Sequence, residues 1–189
     1  MNYQKKITAY LTRLKATIDT LSIADVDQLM NVLHKARLQE RNIFIMGNGG
    51  SSATASHFVC DFTKGLNKTN NLSFKFICLN DNIPTMMAYA NDVSWDEVFI
   101  NPLKNYFQES DLVIGISGSG NSVNVIKAIE WANLNGGITI GLTGYDGGKL
   151  IKICKHNINI PVNDMQITED LHLILNHCMM SVFLDQQFN

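Results

Sequence analysis

The fold is decided by a stretch that reads FIMGNGGSS at residues 44–52. Its apolar start predicts a short buried strand, and its three glycines predict a tight turn that permits positive φ angles and close approach of a ligand to the backbone. Ser51 or Ser52 would cap the helix that follows. A glycine turn that opens a helix presents free N–H groups, so the stretch predicts an anion site. The alternative is a strand–turn–helix unit whose glycines serve only the turn.

The helix predicted over residues 52–64 carries a histidine and an acid on one face. His57 and Asp61 are four residues apart, which places both side chains on the same side of a helix. An imidazole and a carboxylate would therefore lie within a few turns of the anion site. A lone helix histidine is more often structural, but the neighbouring acid and glycine turn favour a functional role.

Composition excludes several classes of protein. The chain has 189 residues, of which 46% are hydrophobic and 17% charged, with a formal charge of −2. These values are typical of an α/β domain and give no reason to expect a nucleic-acid or membrane partner. We find no signal-peptide pattern and no apolar run near the roughly 20 residues needed to span a bilayer. We therefore expect a cytoplasmic protein.

The cysteines are scattered and form no CxxC pair, so we expect reduced core residues rather than a disulfide framework or a zinc knuckle. They are Cys60, Cys78, Cys154 and Cys178.

Helical and strand patterns alternate along the chain after two leading helices, predicted over 2–20 and 22–37. We expect strands at 42–46, 72–79, 111–116, 138–142 and 157–161, and helices at 52–64, 81–90, 94–107, 123–134, 148–154 and 167–184. This order predicts an α/β fold, a doubly wound, mostly parallel five-stranded sheet flanked by helices. We expect a single domain over 1–189, with the helices of residues 1–40 packing on it and on a neighbouring subunit.

A second polar turn, SGSGNS at residues 117–122, follows the most apolar predicted strand. Ser117, Ser119 and Ser122 offer three hydroxyls beside the backbone N–H groups that open the next helix. The turn has no Lys or Arg and fits neither P-loop nor dinucleotide spacing, so it predicts a neutral site for a phosphate monoester. The alternative is a plain Ser/Gly linker. Ligands bind beyond the carboxyl ends of strands in such sheets, where both turns would lie.

Together these features resemble the SIS (sugar isomerase) fold, and their detail is similar to the phosphoheptose isomerase family. The resemblance covers nearly the whole chain and includes the two leading helices. The matching positions are the first turn, His57, Asn91-Asp92, the second turn with Asn124-Val125, and the late Glu169, His172 and His177.

The resemblance implies an aldose–ketose isomerase that converts sedoheptulose 7-phosphate to D-glycero-D-manno-heptose 7-phosphate through an enediol, in the synthesis of lipopolysaccharide or another heptose-containing glycan. It implies Asp61 as the catalytic base and His177 as the acid. It also implies one zinc ion per subunit, with His57, Asp61, Glu169 and His177 as metal ligands. Family members are tetramers with active sites at subunit interfaces, so a homotetramer is implied.

The resemblance further implies a set of residues that bind the phosphorylated sugar. They are Asn48, Gly49, Gly50, Ser51, Asp61, Asn91, Asp92, Ser117, Gly118, Ser119, Ser122 and Glu169.

Several positions depart from the family's usual pattern. Asp61 stands where most members have Glu, Glu169 where Gln is common, and Gly118 where Thr is common, and Lys64-Gly65-Leu66 stands where many members have Gly-Arg-Tyr. Two alternatives therefore remain beside the heptose isomerase. One is a sugar-phosphate-binding scaffold of the kind that associates with a replication initiator, and the other is an isomerase of an arabinose or hexulose phosphate.

Overall fold

The computed structural model describes residues 2–66 and 73–188, with side chains to residue 185. The strands are β1 (Asn42–Gly47), β2 (Lys75–Cys78), β3 (Leu112–Ser117), β4 (Ile138–Gly144) and β5 (His156–Ile160). The helices are α1 (Gln4–Ile18), α2 (Ile23–Leu38), α3 (Gly50–Cys60), α4 (Ile83–Asp92), α5 (Ile100–Tyr106), α6 (Val123–Leu134), α7 (Leu150–Ile153) and α8 (Met165–Phe188). A π-helical turn (Asp61–Gly65) continues α3, and a 3₁₀ turn (Trp95–Glu97) precedes α5.

The described strands form one parallel sheet in the order β2-β1-β3-β4-β5. The predicted α/β fold is confirmed, and its sheet is parallel throughout the described strands. The order reverses between β1 and β3, and ligands of open α/β sheets bind at such a switch point. Both polar turns leave the carboxyl ends of these two strands, so the topology brings them side by side.

Helices cover both faces of the sheet, because the central strands are apolar on both sides. One core lies between the sheet and helices α2, α3 and α8, and includes Leu33, Phe58 and Leu171. The other lies beneath α5, α6 and α7 and includes Leu103, Ile129 and Leu150. Within the described residues, no helix is long and apolar enough to cross a membrane.

The first helix attaches to α8 through polar contacts. Tyr10 donates a hydrogen bond to the Asp170 carboxylate, and this contact raises the pKa of Tyr10 to about 12. Arg13 forms an ion pair of 2.7 Å with Asp164. Much of α1 stays exposed, including the apolar Ile7.

Several predicted boundaries need correction. The α3 helix begins at Gly50 after a Gly49 N-cap with no side-chain capping bond, so the prediction that Ser51 or Ser52 caps it is wrong. Asn91-Asp92 does not interrupt α4, which extends through Asp92. The start predicted for the second strand, at residue 72, lies outside the described residues.

Side-chain caps and a proline mark the starts of three helices. Ser22 caps α2 by accepting a hydrogen bond from the Asp25 N–H, and Asn82 caps α4 through the Thr85 N–H. Pro102 lies in the first turn of α5, where its missing N–H has no helical partner to lose.

Candidate active site

The first turn combines one unusual backbone angle with close packing. Gly49 has φ of +56°, a left-handed conformation that favours glycine. A Cβ at Gly47 would lie 2.7 Å from the Cβ of Ser51, so residue 47 must be small for a different reason. The turn therefore depends on its glycines, and it leaves the α3 N–H groups without a side-chain cap.

The second turn is held against the loop that follows β4. Gly118 accepts a hydrogen bond of 2.8 Å from the Gly144 N–H, and Gly120 accepts one of 2.9 Å from the Leu150 N–H. Gly120 has φ of +66°, and a Cβ there would overlap the Gly147 carbonyl. The serine hydroxyls thus project from a fixed backbone.

A cleft lies between the two turns and the start of α8. It contains most of the residues predicted to bind the sugar phosphate, all within the described part of the chain, and none is Lys or Arg. The lining residues are Asn48, Gly49, Gly50, Ser51, Ile116, Ser117, Gly118, Ser119, Ser122, Met165 and Glu169.

Hydroxyls and amides order the cleft. The Oγ atoms of Ser117 and Ser122 are 3.0 Å apart, and Ser119 Oγ accepts a hydrogen bond of 3.2 Å from the Asn121 N–H. The side-chain amides of Asn48 and Asn124 bond each other in both directions, at 2.9 and 3.0 Å. This amide pair ties the first turn to helix α6.

Glu169 places a carboxylate against the first turn. A Cβ on Gly50 would lie 2.6 Å from the Glu169 carboxyl carbon, so residue 50 must be glycine for Glu169 to keep this position. At the second turn a Cβ on Gly118 would overlap the Met165 sulfur, which explains why a Thr is absent there. Helix α8 therefore supplies a neighbour to each turn.

A cluster of ionisable side chains lies about two helical turns further along the helices that border the cleft, α3 and α8. His57 Nε2 and His177 Nε2 are 3.2 Å apart, and they lie 3.3 and 3.7 Å from Asp61 Oδ2. The side chains of His57 and His177 are 41% and 54% exposed, whereas the Asp61 side chain is only 16% exposed. Three such donors facing one point could hold a metal ion. Among the described residues this group does not include Glu169, the fourth predicted ligand.

The Asp61 carboxylate is supported from two elements. It begins the π-helical turn, a rare feature that often marks functional sites. Asn176 of α8, fully buried, donates a hydrogen bond of 2.7 Å to Asp61 Oδ2. Sequence reasoning missed Asn176, because a single asparagine in an apolar helix gives no local signal.

Asn80 is a second residue that the sequence did not reveal. Its buried side chain accepts a hydrogen bond from the Gly47 N–H at 3.2 Å and donates one to the Gly47 carbonyl at 2.8 Å. Asn80 thereby fixes the end of β1 where the first turn starts.

Asn91 and Asp92, both predicted to bind substrate, do not line the cleft. They are exposed at the end of α4, where Asn91 Nδ2 donates a hydrogen bond of 2.7 Å to Asp92 Oδ1. Asp92 borders a separate depression that includes Tyr89 and Val93.

His172 is a buried structural histidine. Its Nε2 lies 3.2 Å from the Thr143 carbonyl, and burial lowers its pKa to about 4. The ring is thus neutral at physiological pH. Among the described residues, His172 does not belong to the cluster of His57, Asp61 and His177.

Known proteins are similar to this chain in sequence and in architecture. The SIS domain family model matches residues 2–144. Phosphoheptose isomerase of Aliarcobacter butzleri is 34% identical over 180 residues, covering 95% of this chain and 90% of its own. Phosphoheptose isomerase of Nitratiruptor sp. is 31% identical over 188 residues, which cover 100% of this chain and 95% of the relative. The solved phosphoheptose isomerase of Neisseria gonorrhoeae superposes with a TM-score of 0.88 at 27% identity, covering 97% of this chain and 100% of its own.

The match to the Nitratiruptor protein covers the chain from end to end, so it includes both turns, the leading helices and the helices that carry the cluster, whereas the family model ends before α8. The chain therefore belongs to the SIS domain family and, within it, to the phosphoheptose isomerases.

Proposed function

We propose that the chain converts sedoheptulose 7-phosphate to D-glycero-D-manno-heptose 7-phosphate. The observation that carries this proposal is that helices α3 and α8, which border the hydroxyl-lined cleft, also carry the His57–Asp61–His177 cluster together with the π-helical turn that follows α3. The cleft can hold a phosphorylated sugar and the cluster can move protons. Relatives with high coverage are named phosphoheptose isomerase, an enzyme.

The phosphate binds at the second turn in this proposal. Glu169 already places negative charge against Gly50 at the start of α3, so a phosphate there would be repelled. Ser117, Ser119 and Ser122 can donate hydrogen bonds, and the N-terminus of α6 carries no side-chain cap. The sugar hydroxyls then extend past Asn48, Gly49, Gly50, Ser51 and Glu169, with Gly118 lining the phosphate end.

The proton transfers are assigned to the cluster. Asp61, as base, takes the proton from C1 of the ketose through Oδ1, while His177, as acid, gives the C2 carbonyl oxygen the proton of Nδ1, because Asp61 Oδ2 and His177 Nε2 are the atoms that face the metal position. The enediol that results loses its O1 proton and receives a proton at C2, which yields the aldose. Each proton removed is matched by one returned, so no redox partner is needed.

Zinc is the metal we propose for the cluster. A tetrahedral ion with bonds of about 2.0–2.1 Å has ligand atoms about 3.3 Å apart. The three separations of 3.2, 3.3 and 3.7 Å bracket that value, and the donor set of two imidazoles and one carboxylate suits zinc. Glu169 would join His57, Asp61 and His177 only by turning away from Gly50. Bound zinc would supply Lewis-acid polarisation of a substrate oxygen.

We also propose that the chain works as a cytoplasmic homotetramer. The exposed apolar side chains of α1, Tyr3, Ile7, Leu11 and Ile18, supply a surface for another subunit. Asn91 and Asp92 would meet substrate only in such an assembly, since they lie outside the cleft of their own chain. The domain boundary of 1–189 and the packing of residues 1–40 on a neighbour stay predictions.

The test is incubation of the purified protein with sedoheptulose 7-phosphate in D₂O, with and without added zinc, followed by proton NMR. We expect an aldose heptose 7-phosphate to appear with deuterium introduced during the transfer, faster with zinc. A folded protein that produces neither aldose nor deuterium exchange would contradict the proposal.

A further inference from the structure

Asn176 is the buried polar residue that the fold itself does not account for. Its side chain is fully buried on α8, and its Oδ1 atom has no hydrogen-bond partner among the described residues. A buried amide with half of its bonding capacity unused is costly, and an apolar residue of similar size would avoid that cost. The site therefore needs a reason to hold asparagine.

The hydrogen bond that the amide nitrogen of Asn176 donates explains why the residue is asparagine. Asn176 Nδ2 is 2.7 Å from Asp61 Oδ2. A carboxylate only accepts hydrogen bonds, so the donating nitrogen must face it and the oxygen must point away. The unpartnered Oδ1 is thus the consequence of directing the N–H group toward Asp61.

The same carboxylate oxygen faces the two histidines. All hydrogen bonds and ion pairs that described residues make to the Asp61 side chain end on Oδ2, from Asn176, His57 and His177. The histidines approach from the exposed side and Asn176 from the buried side. An aspartate carboxylate rotates about χ2 with little intrinsic preference, so a fixed donor behind it decides which oxygen the histidines meet.

We propose that Asn176 is a positioning residue that holds Asp61 Oδ2 toward His57 and His177. This inference rests on the proposed function of the cluster. Outer partners of metal-binding carboxylates typically change metal affinity or activity by about 10–100-fold when removed. Asn176 touches neither histidine in its hydrogen bonding, so its effect passes through Asp61.

The first test is Asn176→Leu, which keeps the approximate volume and removes the donor. We expect zinc affinity, measured by competition with a chromophoric chelator, to fall about 10-fold, and kcat to fall 10–100-fold with KM within about threefold. The melting temperature should stay equal or rise, because an unpaired buried oxygen is removed. Asn176→Ala also lacks the donor, so it must show the same loss of affinity should the leucine variant fold poorly.

Asn133→Leu is the matched control. Asn133 is likewise a helix asparagine, partly rather than fully buried, but it bonds the Ile153 carbonyl and the Thr139 hydroxyl, away from the cluster. We expect this variant to melt at a lower temperature with unchanged zinc affinity.

An Asp61→Asn background separates the two proposals. Asn176→Leu should add no further loss of zinc affinity there, because its target is already altered. Wild-type affinity in Asn176→Leu and Asn176→Ala, beside a large loss in Asp61→Asn, would overturn the role of Asn176 and leave the metal site intact. Unchanged affinity in Asp61→Asn would instead contradict the proposed cluster.

Discussion

The cleft and the cluster share helices α3 and α8 but are built from different chemical groups. The cleft is lined by serine hydroxyls, amides and glycine backbone, with Glu169 as its ionisable residue among the described ones. The cluster consists of two histidines and an aspartate. Neutral donors can hold a phosphate without changing protonation, whereas proton transfer needs a base and an acid. Binding and chemistry are thus assigned to different residues.

The two regions also differ in how they are held. The turns of the cleft are fixed by backbone hydrogen bonds and by glycines whose replacement would cause overlap. The cluster is fixed by side chains from α3, its π-helical continuation and α8. Changes in the cleft should therefore appear in KM, and changes in the cluster should appear in kcat.

The largest effect should come from Asp61→Asn. The amide cannot accept the C1 proton, so we expect kcat to fall by about 10²–10⁴ while KM changes by less than threefold. Steady-state kinetics with sedoheptulose 7-phosphate measures both constants. A rise of KM with unchanged kcat would place Asp61 with the binding residues.

His172 should control stability rather than chemistry. Its pKa is about 4 in the folded protein against 6.5 for an unperturbed histidine, so the unfolded chain binds more protons between these values. The free energy of unfolding should therefore fall by up to about 3 kcal/mol as the pH drops from 7 toward 4. Urea unfolding of metal-free protein across this range tests the prediction.

His172→Gln keeps a donor for the Thr143 carbonyl but cannot titrate, so its stability should depend less on pH. His34→Gln, at an exposed position, should retain the wild-type dependence. Equal pH dependence in the wild type and His172→Gln would show that another group causes the loss.

Gly50→Ala should raise stability and lower activity together. Alanine favours the helix by about 0.5–1 kcal/mol, but its Cβ would displace the Glu169 carboxylate. We expect kcat/KM to fall about tenfold. If displacement of Glu169 is the cause, the variant carrying Gly50→Ala and Glu169→Ala should be no less active than Glu169→Ala alone; additive losses would refute this cause.

Ser119→Ala should have the smallest effect. Loss of one exposed hydroxyl from the phosphate site should raise KM about fivefold, which corresponds to about 1 kcal/mol, with kcat nearly unchanged. The control is Ser110→Ala. Ser110 lies just before β3, at the amino end of the strands and away from the cleft, so its replacement should change neither constant. A lower kcat in Ser119→Ala would show that Ser119 takes part in the chemical step rather than in substrate binding.

Local sequence patterns predicted the sheet and both turns, because apolar strands followed by glycine and serine have few other solutions. The i, i+4 spacing also paired His57 with Asp61. Patterns could not place Glu169 against Gly50, since that contact depends on where α8 begins and how it packs. Asn176 was invisible for the same reason: its partner is distant in sequence, and burial alone distinguishes it from a surface asparagine.

The most direct test of the division between cleft and cluster is deuterium exchange by Asp61→Asn at saturating sedoheptulose 7-phosphate in D₂O. We expect this variant to bind the substrate with near wild-type affinity, while enzyme-dependent exchange at C1 falls at least 100-fold. Exchange at the wild-type rate would contradict it, because the C1 proton would then leave through a base other than Asp61.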